Sequence, residues 1–147
     1  MAEKKEKEEE KQSPLHQISK QMLEDRRVFL WGGVDDDSAK HVIDRLLFFD
    51  SQKSGEPIQF FINSPGGYVT SGMAIYDTMQ AIKSPIHTTC MGLAASMGSI
   101  LLSGGEKGNR SIFKNGRVMI HQPSLGGFQG TASDLETQAN EIQKTKE

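Results

Sequence analysis

A β-branched and apolar run, Ile86-His87-Thr88-Thr89-Cys90-Met91, passes through Gly92-Leu93-Ala94-Ala95-Ser96-Met97-Gly98 directly into a second apolar run that Gly104-Gly105 stops. The first run reads as a buried strand, and residues 97–102 read as a short helix ended by glycine. A buried strand that turns at once into an apolar helix commits the chain to helix packed on sheet. The serine at this junction has small neighbours, so the backbone can turn sharply and leave Oγ clear of its own chain, as in a nucleophile elbow. The next helix points its first amides at any negative charge developing beside Ser96. An ordinary N-cap serine in a tight turn accounts for the same residues. Ser96 by itself does not decide between the two.

Two further segments bear on the choice. Phe60-Phe61-Ile62-Asn63-Ser64-Pro65-Gly66-Gly67 reads as a second strand that ends in a Pro-Gly-Gly turn and opens another helix. Gly67 has no Cβ, so its N–H can approach a ligand closely. Paired with the N–H of Met97, it would make the two-donor oxyanion hole that acyl transfer needs. Arg117-Val118-Met119-Ile120-His121-Gln122-Pro123 is a short apolar strand with a histidine at its exit. A lone strand-end histidine is usually only a hydrogen-bonded residue, but here the three segments together supply a nucleophile, a base and two donors. Each lies at the carboxyl end of a strand.

The rest of the chain organises as one α/β domain of alternating elements, which argues for a largely parallel sheet covered by helices. Residues 15–23 read as a helix and residues 27–31 as a strand. Asp37 or Ser38 caps a helix with Val42, Ile43, Leu46 and Leu47 on one face. A strand comes next at residues 58–62, then a helix with Ile75, Thr78, Met79 and Ile82 at helical spacing that stops before Pro85. Those stripes are core positions. Asn115-Gly116 reads as a tight hairpin turn presenting the His121 strand. From Thr131 onward Ala132, Leu135, Ala139 and Ile142 share a helix face. His16, His41 and His87 lack neighbours at metal-ligand spacing, so no metal is expected.

With 147 residues the chain builds one domain with a real core, not two. A formal net charge of -2 gives no reason to expect nucleic acid or an anionic membrane as partner. The single cysteine, Cys90, cannot form an internal disulfide, and no apolar run reaches the length of a membrane span or a signal peptide. The expected location is the cytoplasm. The first twelve residues hold five Glu and four Lys, too polar to offset their ordering cost by burial, so disorder is expected there. The expected division is a charged tail over residues 1–14, an α/β domain over 15–130 and a final helix beginning over 131–147.

Five motifs, in order, resemble the proteolytic subunit of the ATP-dependent Clp protease: Ile62-Asn63-Ser64-Pro65-Gly66-Gly67, Gly72-Met73-Ala74-Ile75-Tyr76-Asp77-Thr78-Met79-Gln80, Ala94-Ala95-Ser96-Met97-Gly98-Ser99, Gly105-Glu106-Lys107-Gly108 and Met119-Ile120-His121-Gln122-Pro123. The likeness runs from about Arg26 to the end of the chain. It implies a crotonase-like α/β fold, a serine endopeptidase mechanism and stacked seven-membered rings enclosing a chamber. Unfolded polypeptides would be threaded in by an AAA+ unfoldase; ATP is used by that partner, and no cofactor is bound here. Position by position, Ser96 resembles the nucleophile, His121 its base, and Gly67 and Met97 the oxyanion donors. Gly66, Leu125, Gly126 and Gly127 resemble the segments along which a peptide lies, strand on strand. The last helix resembles the start of the handle that interleaves two rings.

Two departures qualify these implications. The family's triad is completed by an aspartate well downstream of the histidine, and the sequence stops at Glu147 before that position. Asp134 and Glu136 are too near His121 to match it. The expectation is a fragment of a longer product, because the last segment breaks off in mid-helix; the alternative is a short, catalytically impaired structural subunit of a mixed ring. The N-terminal segment, partly apolar in the family, is almost wholly charged here, which puts ATPase docking by those elements in doubt. A ring of charged tails gating a pore is one consequence. An acyl-CoA enzyme of the wider crotonase group shares the two-amide oxyanion hole, but leaves Ser96 and His121 without a joint role.

Overall fold

The computed structural model describes residues 13–124 and 131–146. The charged tail, apart from its last two residues, lies outside the described residues. Helix α1 (Pro14–Glu24) starts one residue before the expected domain boundary, with Ser13 as its N-cap accepting from His16 N at 3.2 Å and Pro14 in its first turn. Then come β1 (Arg27–Trp31), α2 (Asp36–Gln52), β2 (Ile58–Ser64), α3 (Val69–Ala81), β3 (Ile86–Ala95), α4 (Met97–Ser103), β4 (Arg110–Ile112), β5 (Arg117–Met119) and α5 (Ala132–Lys146).

The start of α2 is decided by a capping box two residues before the earlier of the two expected caps. Asp35, not Asp37 or Ser38, is the N-cap; its carboxylate accepts from Ser38 N at 2.8 Å while Ser38 Oγ accepts from Asp35 N at 2.9 Å. Ser38 is therefore the reciprocal partner of the cap. Along α2, Val42 and Leu46 are buried and Ile43 packs against the core. Leu47, expected on the same face, is 51% exposed because it falls past the edge of the buried stripe. In α3, Ile75 and Met79 are buried, as their spacing predicts.

All strand pairings are parallel, in the order β1-β2-β3-β4, with β5 also on β3. Along β2 burial alternates strictly: Ile58, Phe60, Ile62 and Ser64 face inward. Val28, Leu30, Ile86, Cys90 and Ala94 share that core with residues of α2, α3 and α4. Each fully buried Phe, Leu or Ile in this layer contributes roughly 1.5–3 kcal/mol through removal of apolar surface from water. The opposite face is half-buried, and there Phe29 stacks on Phe61 with ring centroids 5.1 Å apart.

The hairpin expected at Asn115-Gly116 is not formed. A turn exists, closed by Gly116 N donating to Phe113 O at 2.8 Å, but β4 and β5 do not pair with each other. Both lie parallel on the same side of β3, β4 against residues 88–90 and β5 against residues 93–95. The physical reason is the length of β3: its ten residues offer two successive stretches of open edge. Both short strands can use that edge without reversing direction.

Candidate active site

Strand β3 delivers Ser96 into a backbone conformation that non-glycine residues rarely adopt, with φ 53° and ψ −122°. Such strain costs on the order of 1–3 kcal/mol and persists only where the surroundings enforce it. They do so at both polar backbone atoms. Ser96 N donates to Met119 O at 2.9 Å, and Ser96 O accepts from Ser99 N at 2.9 Å and from Ser99 Oγ at 2.6 Å. The hydroxyl is left over: among the described residues Ser96 Oγ makes no hydrogen bond, and the residue is only half-buried. This is an elbow, and its serine is no side-chain cap for α4.

The Pro-Gly-Gly turn lies against it. Gly66, at φ 90°, approaches so closely that a Cβ there would stand 2.6 Å from Ser96 Cβ, 2.8 Å from Ala95 O and 2.9 Å from Met97 N. Only glycine supplies both the positive φ and the missing atom. Gly66 N donates to Ser64 Oγ and Gly66 O accepts from Val34 N at 2.9 Å, so both of its polar backbone groups are engaged. Gly67 forms a parallel bridge with Val34, and a Cβ on it would run into the Val34 carbonyl. Among the described residues, the N–H groups of Gly67 and Met97 donate to no acceptor. Val34, which fixes this turn from the far side, carries no signal in the sequence that marks it for the site.

His121 lies two residues beyond β5 and is exposed. It shares a cavity of about 130 Å³ with Ser96, walled by Val69, Met73, Met97, Ile100, Ile120 and Pro123, with Thr145 of α5 also at its edge. The nucleophile and base expected from the sequence thus meet in one largely apolar pocket. No hydrogen bond joins them, and among the described residues none orients the imidazole. In unliganded sites such bonds are often long and tighten only around substrate. Leu125, Gly126 and Gly127 lie outside the described residues. Among the described residues there is also no group of three His, Cys, Asp or Glu placed to hold a metal.

A family model described as Clp protease matches residues 9–147, nearly the whole chain. The chain belongs to the Clp protease family. The parallel sheet with its five helices is a Clp protease-like α/β fold. As a Clp protease family member the chain is a peptidase-type subunit of a proteolytic complex, of the proteolytic rather than the ATPase kind. Among the described residues no helix is long and apolar enough to cross a membrane. Helix α5 carries a reciprocal cap, Thr131 Oγ1 with Asp134, so Asp134 is engaged at a helix start. Like its neighbour Glu136 it is exposed, and α5 buries none of its residues.

Proposed function

We propose that this chain is a serine-type endopeptidase subunit whose nucleophile is Ser96. One observation carries the reading. A strained serine with an unengaged hydroxyl shares a pocket with His121 and abuts a turn bearing a free amide, while its own successor, Met97, bears another. In the reaction Ser96 Oγ attacks a peptide carbonyl carbon as His121 takes the hydroxyl proton. The N–H groups of Gly67 and Met97 hold the oxyanion, and His121 returns the proton to the leaving amine. Removing one such donor typically costs about 10²–10³-fold in turnover. Substrates are unfolded polypeptides reaching the site inside a chamber of stacked rings, delivered by an AAA+ ATPase that consumes the ATP. The chain itself uses no cofactor, and its compartment is the cytoplasm.

A second reading is an impaired subunit that fills a place in a mixed ring. The observation favouring it is that no carboxylate orients His121 among the described residues. Loss of that function costs on the order of 10⁴-fold in comparable serine peptidases. A fluorophosphonate probe separates the two. Labelling of the assembled wild type that disappears in Ser96→Ala supports the endopeptidase; absence of labelling in assembled rings supports the structural subunit.

A further inference from the structure

The ladder between β2 and β3 is broken directly upstream of the elbow. Ile62 pairs with Cys90 and Ser64 with Ala94, so the single residue Asn63 faces three residues of β3, Met91, Gly92 and Leu93. Two extra residues on one strand make a bulge, a device that bends a strand and re-aims the residues beyond it. The bulge also falls where β3 exchanges β4 for β5 as its outer neighbour. Something must replace the ladder bonds lost there, since an unpaired, partly buried amide is costly.

The replacement is a side chain. Asn63 Oδ1 accepts from Leu93 N at 3.2 Å, and the carboxamide sits against Gly92, where a Cβ would come within 2.9 Å of Oδ1. Gly92 has φ 93°, so the bulge is folded tightly around this group. The main chain of Asn63 is fixed in turn by Gly32 N donating to its carbonyl at 2.9 Å. From Leu93 the strand runs three residues to Ser96, paired throughout with β5, which leads to His121.

We propose that Asn63 is a positioning residue: its carboxamide acts as a wedge that sets the height of Ser96 and, through β5, of His121. It touches neither substrate nor reacting atoms. This inference rests on Ser96 being the nucleophile. Loss of the Oδ1 acceptor frees Leu93 N–H and lets the bulge relax, moving the serine relative to its oxyanion donors. Misplacement by about 1 Å costs on the order of 10²-fold in rate.

The test compares Asn63→Leu, which keeps the bulk and lacks the acceptor, with Asn63→Asp, which keeps an acceptor for Leu93 N. Asn63→Ser, whose hydroxyl is too short to reach, replaces Asn63→Leu if the latter does not fold. Fluorophosphonate labelling rate, kcat and KM on a fluorogenic peptide, and thermal midpoint are measured on assembled protein. The expected result is a roughly 10- to 100-fold fall in kcat and labelling rate for Asn63→Leu, with KM within about twofold. Asn63→Asp recovers most of the rate even where its midpoint is lowered. Equal labelling of Asn63→Leu and wild type, or a loss in Asn63→Asp as large as in Asn63→Leu, overturns the wedge. Failure of wild type itself to label at Ser96 overturns the endopeptidase reading, and the wedge with it.

Discussion

Adding one carbon at Gly66 tests whether the approach of the Pro-Gly-Gly turn to the elbow matters for chemistry. In Gly66→Ala the new Cβ meets Ser96 Cβ at 2.6 Å, Ala95 O at 2.8 Å and Met97 N at 2.9 Å. None of these is the far end of a flexible side chain, so the backbone itself must give way. Holding alanine at φ 90° costs about 1–2 kcal/mol. Overpacking a tight site costs typically about 1–3 kcal/mol more. The sum, about 2–5 kcal/mol, lowers the thermal midpoint by roughly 4–20 °C at about 2–4 °C per kcal/mol for a chain of this size. Gly55→Ala is the control. It carries nearly the same φ, 87°, with nothing within 4 Å, so it registers the conformational cost alone. The expected pattern is a small midpoint loss and unchanged labelling in Gly55→Ala, against a larger loss and about 10²-fold slower labelling in Gly66→Ala. Wild-type labelling in a folded Gly66→Ala would refute the claim that this contact sets the oxyanion geometry.

Arg26 is buried, and its guanidinium donates to Phe49 O at 2.7 Å, Pro57 O and Glu56 O at 3.0 Å and Ser84 Oγ at 3.1 Å. Arg26→Met leaves the Glu56 and Pro57 carbonyls without a donor, while Phe49 O keeps Lys53 N at 3.1 Å and Ser84 Oγ keeps Lys53 O; urea unfolding should show a loss of about 2 kcal/mol, and a change under about 0.5 kcal/mol would contradict this. Burial pushes the Cys90 thiol up from its ordinary value, only partly opposed by its contact with the Arg117 carbonyl. Iodoacetamide should therefore leave native Cys90 untouched at about pH 8 and modify it promptly in urea. His41 is held below its ordinary 6.5, first by desolvation and second by Arg45, with Asp44 opposing. The folded chain then resists a proton that the unfolded chain accepts, so this contribution is complete above about pH 6.5 and is lost as pH falls through the lowered native value. The urea midpoint should drop more between about pH 7.5 and 5.5 in wild type than in His41→Gln, and equal drops would remove His41 as the cause.

Much of this molecule is legible one segment at a time. The bounds of β1, the buried stripe of α3, the stop of α4 at Gly104 and the serine between β3 and α4 come from periodicity and from glycine and proline, which act within a few residues. The cap of α2 escapes such reading because three consecutive aspartates offer equivalent local chemistry. Only the hydroxyl of Ser38 reaching back selects Asp35. The Asn115-Gly116 turn is recognisable, but its hairpin is not formed. Whether two strands pair with each other or with a third depends on where an open edge exists, and β3 supplies that edge.

By itself the sequence determined most of the strands and helices, though not β4, most of their apolar faces, though not the exposure of Leu47, and that an alcohol, an imidazole and two amides lie at strand exits. Those are properties of neighbours in the chain. Only the tertiary structure decided that these groups share one pocket, that Val34 closes the Gly66-Gly67 turn, and that Asn63 fills a two-residue bulge beneath Ser96. Each depends on register between segments about thirty residues apart. Register is set by the packing of whole faces and is written in no single segment.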